Sequence, residues 1–367
     1  MTNKRVKLED IAELTVGFVG NMAKQYTKEG VKFLRSLNIK PYRIVEDDLK
    51  YVSKEFSKSL NKSVLHHNDV IIVRTGMPGT CCVVPKNYEG CNCADVVLVR
   101  PNLKLVNPHY LAAYINIFGR RQIENNKVGA IQKHFNVRSA AEMLIDLPDL
   151  ENQNKIAKVL CNLNEKIIKN EEINDYLEEQ ALLIFKHMFQ NVSYGLNHVG
   201  DYITPKRGKA LLSKNAIYGR VPVIAGGLLP ATYHNVANTL APVLTISGSG
   251  ANAGYVNIWN TSVWSSDSSY IDSTMTKNVY FWYAFLKVRQ QDIFNIQTGS
   301  AQPHIYPKHI AELSIGDIDN SKVELYTLQV APLFKKVGAN ILENDELKQL
   351  REWLLPMLMN GQATIED

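Results

Sequence analysis

The sequence predicts an α+β protein with two pseudo-repeated mixed α/β globular domains, separated by two long helices that form an antiparallel coiled coil. Three observations support this prediction. A regular apolar pattern occupies the middle of the chain, a second one lies near its end, and an internal repeat includes both. With 367 residues, 45% of them hydrophobic, the chain is long enough for two domains with separate cores.

A spacer helix is predicted for residues 148–190. Pro148 and Asp149 favour a helix start, because proline is tolerated there and a carboxylate caps free amides. The apolar seam repeats every 3.5 residues on average, which indicates a partner helix along its length. About forty residues at 1.5 Å each would span roughly 60 Å. The seam comprises Ile156, Leu160, Leu163, Ile167, Asn170, Asn174, Leu177, Ala181, Ile184 and Met188.

A second spacer helix is predicted for residues 321–367, starting at Ser321, whose spacing to Glu324 fits a capping box. Asn170 and Asn344 occupy matching positions in the two helices and are predicted to set the register, since a polar seam residue selects its partner. Two unrelated amphipathic core helices are the alternative. The second seam comprises Val330, Phe334, Val337, Ile341, Asn344, Leu347, Leu350, Leu354 and Met357.

The repeat extends into the globular domains, predicted at residues 1–147 and 191–320. Residues 73–99 align with 245–271 at a constant shift of 172, which places Thr75-Gly76 over Ser247-Gly248. The shift is 191 before that run, so the first domain has 19 extra residues between Gly17 and Val73. Other matched pairs are Asp10 and Asp201, Gly17 and Gly208, Asp95 and Asp267, Gly129 and Gly299, Gln132 and Gln302, and His134 and His304.

Charge is unevenly distributed. Residues 1–147 have 22 Lys and Arg against 14 Asp and Glu, and residues 191–320 have 9 against 7. The predicted helices are acidic, with 5 against 8 in residues 148–190 and 5 against 7 in residues 321–367. Basic globular domains joined by acidic helices favour a polyanionic partner that contacts the domains.

Composition also bears on the compartment. Glu9, Asp10 and Glu13 interrupt what a signal peptide would need as an apolar run, and no apolar run is long enough to cross a bilayer. Five cysteines in a chain of this size make a disulfide framework an unlikely design. We therefore expect a cytoplasmic protein that does not bind to or span a membrane.

Three motifs have a possible chemical reading. Asn107-Pro108-His109-Tyr110 is close to the base-holding turn of adenine methyltransferases, but its third position differs and no glycine-rich cofactor loop precedes it. Residues 248–254 are glycine-rich without the following Gly-Lys-Ser/Thr of a nucleotide loop. Cys81, Cys82, Cys91 and Cys93 are spaced poorly for tetrahedral zinc, so no metal or catalytic residue is predicted.

Loop residues are the better candidates, as DNA-binding positions. Arginine can pair with guanine or phosphate, glutamine and asparagine with adenine, and hydroxyl groups with either bases or phosphates. The repeated Gln and His positions could equally tie each domain to its helix, and that alternative stays open. The candidates are Arg43, Arg74, Thr75, Gln132, Lys133, His134, Lys206, Arg207, Ser247, Ser249, Asn252, Gln302 and His304.

This pattern resembles the specificity subunit of type I restriction-modification enzymes. The resemblance covers essentially the whole chain and is carried by three segments and by the duplicated order of domain and helix. The second helix start, residues 320–324, departs from the family in lacking the proline and glutamine of the first. The segments are residues 147–157, LPDLENQNKIA, residues 246–256, ISGSGANAGYV, and residues 299–304, GSAQPH.

The resemblance implies two target-recognition domains that read the halves of a bipartite, asymmetric sequence in double-stranded DNA, with the helices setting their separation. It implies two copies of a methyltransferase subunit, which holds S-adenosylmethionine, and a restriction/translocase subunit that uses ATP and Mg. The chain itself would bind no cofactor and catalyse no reaction. The alternatives are a free-standing adenine DNA methyltransferase and a coiled-coil scaffold with two binding domains that does not bind DNA.

Overall fold

The computed structural model describes residues 4–119, 122–123, 135–299 and 302–365, which form two compact units. Unit 1 consists of Met1–Ile167 and Glu346–Asp367, and unit 2 of Ile168–Asp345. The division falls inside both long helices, so each unit contains a part of each. The domain limits read from the sequence, near residues 147, 190 and 320, are a different division and stay a prediction.

Helices of very different length form the α-helical part of the described chain. The longest two, α4 and α8, are the predicted long helices. In the residues that the structure describes, no helix combines the length and apolar character needed to cross a membrane. The helices are α1 Lys54–Ser59, α2 Pro108–Tyr114, α3 Val137–Ala141, α4 Leu150–Met188, α5 Val279–Val288, α6 Gln290–Asn295, α7 Pro307–Ala311 and α8 Asn320–Met359.

Aspartates cap both long helices. Asp149 accepts a hydrogen bond on Oδ1 from the backbone N–H of Asn152 at 2.8 Å, as the sequence predicts for the start of α4. The prediction that α8 starts at Ser321 is wrong, because the helix begins at Asn320. There Asp319 accepts from the Ser321 N–H at 3.0 Å, and its carboxylate also suits the positive end of the helix dipole.

The two helices are antiparallel in unit 2. Asn170 Nδ2 donates to Asn344 Oδ1 at 2.9 Å, and one turn further along α4, Asn174 accepts from Asn340 at 2.8 Å. Residue numbers therefore rise along one helix as they fall along the other. Asn170 also donates to Glu343 Oε2 at 2.8 Å, which places a polar layer inside an apolar seam.

The same direction holds in unit 1. Arg351 Nη1 donates to Asn164 Oδ1 at 2.7 Å, while Ile156 and Leu358 line one small cavity further along. The predicted antiparallel pairing is thus confirmed within each unit.

Part of the predicted second seam is wrong. Ile341 and Leu350 are predicted to be buried in it, but they are 45% and 43% exposed, whereas Asn340 is fully buried. The hydrogen bond from Asn340 to Asn174 turns position 340 inward, so the buried positions step by three before they step by four. A straight helix also drifts relative to a strict heptad, which moves the seam around its surface.

Unit 1 contains an antiparallel sheet in the order β2-β11-β8-β9, a mixed sheet in the order β10-β4-β7-β3, and the strand pairs β1-β12 and β5-β6. Its strands are β1 Lys4–Lys7, β2 Ala12–Val16, β3 Tyr26–Thr27, β4 Val31–Leu34, β5 Ile39–Lys40, β6 Arg43–Ile44, β7 Lys50–Val52, β8 Val70–Val73, β9 Cys81–Val83, β10 Asn92–Cys93, β11 Val96–Pro101 and β12 Leu144–Leu147.

Unit 2 repeats this plan with an antiparallel sheet in the order β14-β20-β17-β18, a smaller sheet β16-β15-β19, and the pair β13-β21. The repeat predicted from the sequence is therefore present as a repeat of topology. Its strands are β13 Asn197–His198, β14 Lys206–Arg207, β15 Val221–Ile224, β16 Thr232–His234, β17 Val243–Ser247, β18 Val256–Trp259, β19 Trp264–Ser265, β20 Ser268–Asp272 and β21 Ser314–Ile315.

The long helices close the core of each unit. In unit 1, Ile156 and Leu160 of α4 and Leu355 of α8 join the apolar cluster under the main sheet. In unit 2, the ring of Phe185 lies 5.7 Å from the rings of both Phe281 and Tyr326. Burial of such aromatic surface is a major source of stability.

We predict that Asn170→Ala destabilises the helix pair by about 1–3 kcal/mol, since it leaves buried Asn344 without this hydrogen bond. Chemical denaturation of the full chain measures the change. Exposed Glu172→Ala on the same helix is the control, expected within about 0.5 kcal/mol of the parent chain. The double variant Asn170→Leu/Asn344→Leu is expected to recover most of the loss. A single variant as stable as the control would contradict the assignment.

A second prediction concerns pH. Arg5 Nε donates to Asp146 Oδ1 at 2.6 Å, and this contact, with that from Tyr114, lowers the carboxyl pKa. A lowered folded-state pKa adds stability above the unfolded-state pKa, near 3.9, and that stability is lost as pH falls below it. We therefore expect Asp146→Asn to flatten the acid side of the stability profile. Urea midpoints between pH 2 and pH 6 test this, and an unchanged slope would refute it.

Candidate nucleic-acid interface

A glycine-shaped turn follows the central strand of the main sheet in each unit. After β8, Gly76 and Gly79 have φ of 78° and 88°, and after β17, Gly250 and Gly254 have φ of 83° and 85°. Residues with a Cβ atom strongly disfavour this left-handed region of backbone conformation. The four glycines therefore let both turns bend tightly and expose backbone for close approach.

The strand register corrects the repeat alignment at this turn. Val70 pairs with Val99 in unit 1, and Leu244 pairs with Ile271 in unit 2. Val99 and Ile271 keep the shift of 172, as do the matched Asp95 and Asp267. Their partners Val70 and Leu244 are then related by a shift of 174, which holds for the whole of β8 and β17. A slip of two residues leaves every side chain on the same face, so the apolar pattern could not reveal it. The equivalent of Thr75 is accordingly Ser249, and that of Arg74 is Gly248.

In each unit, one aspartate beside the turn accepts a hydrogen bond from a hydroxyl group of that turn. Thr75 donates its Oγ1 hydrogen to Asp95, and Ser249 donates its Oγ hydrogen to Asp267. Asp95 and Asp267 are matched residues of the repeat. In unit 2, the backbone N–H of Gly248 also donates to the carbonyl oxygen of Asp267, at 2.9 Å.

The same two carboxylates pair with arginines that come from different strands. In unit 1, Nη1 of Arg74 lies 3.9 Å from Asp95 Oδ1. In unit 2, position 248 is glycine, and the guanidinium of Arg207 pairs with Asp267 from the neighbouring strand β14. Val16 is the unit 1 equivalent of Arg207, as their pairing partners in the sheet indicate.

We call these sets the unit 1 trio, Arg74, Thr75 and Asp95, and the unit 2 trio, Arg207, Ser249 and Asp267. The side chain of Arg74 is 18% exposed and also donates from Nε to the Phe135 carbonyl at 3.2 Å. The side chain of Arg207 is 39% exposed. Of the two arginines, Arg207 is therefore the more accessible to a ligand.

A third chain segment joins the unit 2 trio. Gly250 N–H donates to the Pro303 carbonyl at 3.0 Å, and Ile305 N–H donates to the Gly248 carbonyl at 3.0 Å. These bonds place His304 next to Ser249, with its ring stacked 6.0 Å from that of Tyr306. Tyr306 also lies under the Arg207 guanidinium at 5.9 Å. Arg207, Ser249 and His304 thus form one polar surface, with the Tyr306 ring beneath the guanidinium and beside the imidazole.

The remaining predicted residues differ in position. Lys206 and Gln302 are exposed, Asn252 and Arg43 are half-buried, and Arg43 lies on β6. Ser247 is buried and its hydroxyl donates to the Gly227 carbonyl at 3.4 Å, so its side chain faces the protein. The predicted contacts at Gln132, Lys133 and His134 lie outside the described residues.

Sequence reasoning missed several residues beside the unit 1 trio. A cleft of about 580 Å³ next to Thr75 and Asp95 is also lined by Tyr26 and Arg35. The Arg35 guanidinium donates to Asp48 Oδ2 at 2.8 Å and lies 5.9 Å from the Tyr26 ring centre. Tyr26 and Arg35 lie outside the runs that the sequence repeat matched, so the repeat did not mark them. Asp95 and Asp267 did carry a signal, as a matched charged pair beside matched turns.

The methyltransferase-like motif is a helix cap. Asn107 accepts hydrogen bonds on Oδ1 from the N–H groups of His109 and Tyr110, at 2.8 and 3.2 Å, and so begins α2. Its Nδ2 donates to Asn154 Oδ1 at 2.8 Å, and the Tyr110 side chain is buried. These contacts account for the motif without a bound base.

The four clustered cysteines pack in the sheets. Cys81 donates from Sγ to the Ala112 carbonyl at 3.2 Å, and Cys93 packs in a second apolar cluster with Cys82 and Cys91. Burial raises the pKa of all four thiols, so they are neutral thiols as packed here. Their strand positions and apolar neighbours account for them structurally.

A family model described as a type I restriction modification DNA specificity domain matches residues 2–179. The match covers a little under half of the chain, so residues 2–179 are similar to this family of DNA specificity domains. The matched region includes the unit 1 trio and most of α4. Over those residues, the match bears out the family resemblance that the repeated domains and helices suggested.

Two curated relatives and one solved structure are similar to this chain. The specificity subunit of the type I restriction enzyme MjaIX from Methanocaldococcus jannaschii is 25% identical over 62% of both chains. That of EcoBI from Escherichia coli is 21% identical over 36% of this chain and 28% of its own. Each match thus spans less than two thirds of the relative's length. The crystal structure of a type I system S subunit from M. genitalium has a TM-score of 0.57 and 17% identity, over 97% of this chain and 95% of its own, which supports the fold.

The unit 2 trio generates a prediction. A methyl group at position 248 would come within 2.7 Å of Asp267 Oδ1, 2.8 Å of its carbonyl oxygen, and closer still to Arg207 Nη1. Gly248→Ala is therefore expected to separate arginine and carboxylate and to destabilise the unit by about 1–3 kcal/mol. Gly227→Ala is the control, since its methyl group would meet other atoms only at 3.5 Å or more. Equal thermal stability of the two variants would contradict this packing.

Proposed function

We propose that this chain is the DNA-recognition subunit of a type I restriction-modification complex, and that each unit reads one half of a bipartite, asymmetric double-stranded target. The observation that carries the proposal is the duplicated trio of guanidinium, hydroxyl and carboxylate beside a glycine-shaped turn. Two matched polar surfaces in a family of DNA specificity domains suit two half-sites.

The chemistry of the trio suits base and phosphate contacts. A guanidinium has five N–H donors, so an arginine held by one carboxylate retains donors for the O6 and N7 acceptors of guanine or for a phosphate. Exposed Gln302 and half-buried Asn252 in unit 2 add the amide groups that pair with adenine. The left-handed glycines allow the turn backbone to approach the groove closely.

The DNA-contact residues predicted from the sequence differ in how accessible they are. Arg207, Ser249 and His304 form one surface, and Lys206, Asn252 and Gln302 are available beside it. Arg74 and Thr75 are their unit 1 counterparts, while Gln132, Lys133 and His134 remain proposed from the repeat. Ser247 is the weakest candidate, because its hydroxyl is already engaged inside the protein.

The long helices have two proposed roles. Asn170 and Asn344 would fix their register, since a sliding helix pair would bury each amide against apolar side chains. Residues 148–190 and 321–367 would act as spacers between recognition domains at 1–147 and 191–320. The length of the gap in the DNA target would then follow from the length of the helices.

The partners follow from the family proposal. Two copies of a methyltransferase subunit would supply S-adenosylmethionine and the methyl transfer, and a restriction/translocase subunit would use ATP and Mg. This chain would contribute recognition without a cofactor of its own. We place the complex in the cytoplasm, where cellular DNA is accessible to it.

The proposal predicts where methyl groups appear in DNA. The chain is combined with its methyltransferase subunit, genomic DNA is treated, and the modified bases are mapped. We expect a bipartite motif for the parent chain, and for Arg207→Ala a motif relaxed in one half only, since a lost bidentate contact costs about 1–3 kcal/mol of discrimination. Lys214→Ala, an exposed charge on the same unit, is the control and should keep the motif.

Two results would count against this proposal in different ways. If the parent chain directs no methylation to a bipartite sequence, the proposed function is wrong. If the parent motif is bipartite but Arg207→Ala leaves both halves equally strict, the placement of the contact surface is wrong and the function stands.

A further inference from the structure

The two trios place a negative charge in the middle of a surface proposed to bind a polyanion. A carboxylate opposes phosphate binding, so its presence in both units needs a physical reason. Asp95 and Asp267 are 46% and 36% exposed at the side chain, and neither is a buried structural acid. Each accepts a hydrogen bond from the hydroxyl of its turn.

The repeat itself indicates that the arginine–carboxylate contact is the retained feature. Unit 1 has arginine at position 74 and valine at position 16. Unit 2 has glycine at the position equivalent to 74 and arginine at the position equivalent to 16. The glycine is required for this exchange, since a methyl group at Gly248 would overlap the Arg207 guanidinium. Two different sequence solutions thus bring a guanidinium to the same carboxylate.

We propose that Asp267 and Asp95 are positioning residues that set sequence discrimination, an inference that rests on the proposed DNA-recognition function. The carboxylate fixes the direction of the arginine and the turn hydroxyl before DNA arrives. It also cancels most of the arginine's attraction for any phosphate, so that binding energy is gained chiefly where a base edge meets the remaining N–H donors. Specificity is the difference between two affinities, and lowering the wrong one raises it.

This mechanism predicts that replacing the carboxylate has effects that replacing a merely structural residue would not have. Without the charge, Arg207 becomes a free cation that can contact any phosphate. Affinity for unrelated DNA should then rise and depend more steeply on salt, because each new phosphate contact adds about 0.9 to the slope of log K against log salt concentration. A structural residue would instead lower affinity for all DNA when it is replaced.

The test uses the full chain with its methyltransferase subunit and two DNA duplexes. One duplex carries the target mapped by methylation, and the other has the half-site that Arg207→Ala relaxes scrambled. Binding is measured at several salt concentrations. For Asp267→Asn we expect at least about threefold tighter binding to the scrambled duplex, a salt slope steeper by about one, and discrimination reduced at least about tenfold. Asp95→Asn is expected to act in the same direction on the other half-site but less strongly, because Arg74 is 18% exposed and also donates to the Phe135 carbonyl.

Asp317→Asn is the control, since it removes an exposed negative charge from the same unit, where that carboxylate accepts from Asn197 at 3.0 Å. It should leave discrimination unchanged. Asp267→Asn that binds both duplexes more weakly, or that discriminates like the parent chain, would overturn the inference while the proposed function stands. A parent chain that does not distinguish the duplexes would overturn the proposed function, and the inference with it.

Discussion

The antiparallel pairing of α4 and α8 is the constraint on which both units depend. Neither core is complete without both helices, since Leu160 and Leu355 close the unit 1 core and Phe185 and Tyr326 close that of unit 2. Apolar seams alone would permit sliding by a turn at modest cost. The Asn170–Asn344 and Asn174–Asn340 hydrogen bonds penalise such sliding, because a displaced amide would be buried without its partner.

Within this frame, the duplication is stricter in topology than in sequence. Strand order, turn glycines and the central aspartates recur, while the arginine that pairs with each aspartate has changed strand. Such an exchange is possible because β20 pairs with β14 on one side and with β17 on the other, so a side chain from either neighbouring strand can reach the carboxylate that precedes β20. The geometry of the polar cluster is thereby preserved although its residues are not aligned.

The candidate site is also asymmetric between the units. In unit 1, Tyr26 and Arg35 line a cleft beside Thr75, and the trio arginine is largely enclosed. Unit 2 presents Arg207 openly above Tyr306. The two candidate surfaces share a topology but differ in chemistry, which suits the proposed asymmetric target, since identical surfaces would read identical half-sites.

The sequence by itself determined the two long helices, their antiparallel pairing, the repeat of globular domains and the resemblance to the specificity family. These rest on periodic burial and on local capping, which leave direct traces in residue order, as at Asp149 and along the α4 seam. At the start of α8, Asp319 and not Ser321 caps the helix. Further along, Asn340 is buried in place of Ile341 because it donates to Asn174 of the other long helix. The two-residue slip between β8 and β17 was invisible, because a strand repeats its sidedness every two residues. Only the tertiary structure decided which arginine meets Asp267 and which residues line the unit 1 cleft, because those contacts join strands distant in sequence and carry no period of their own.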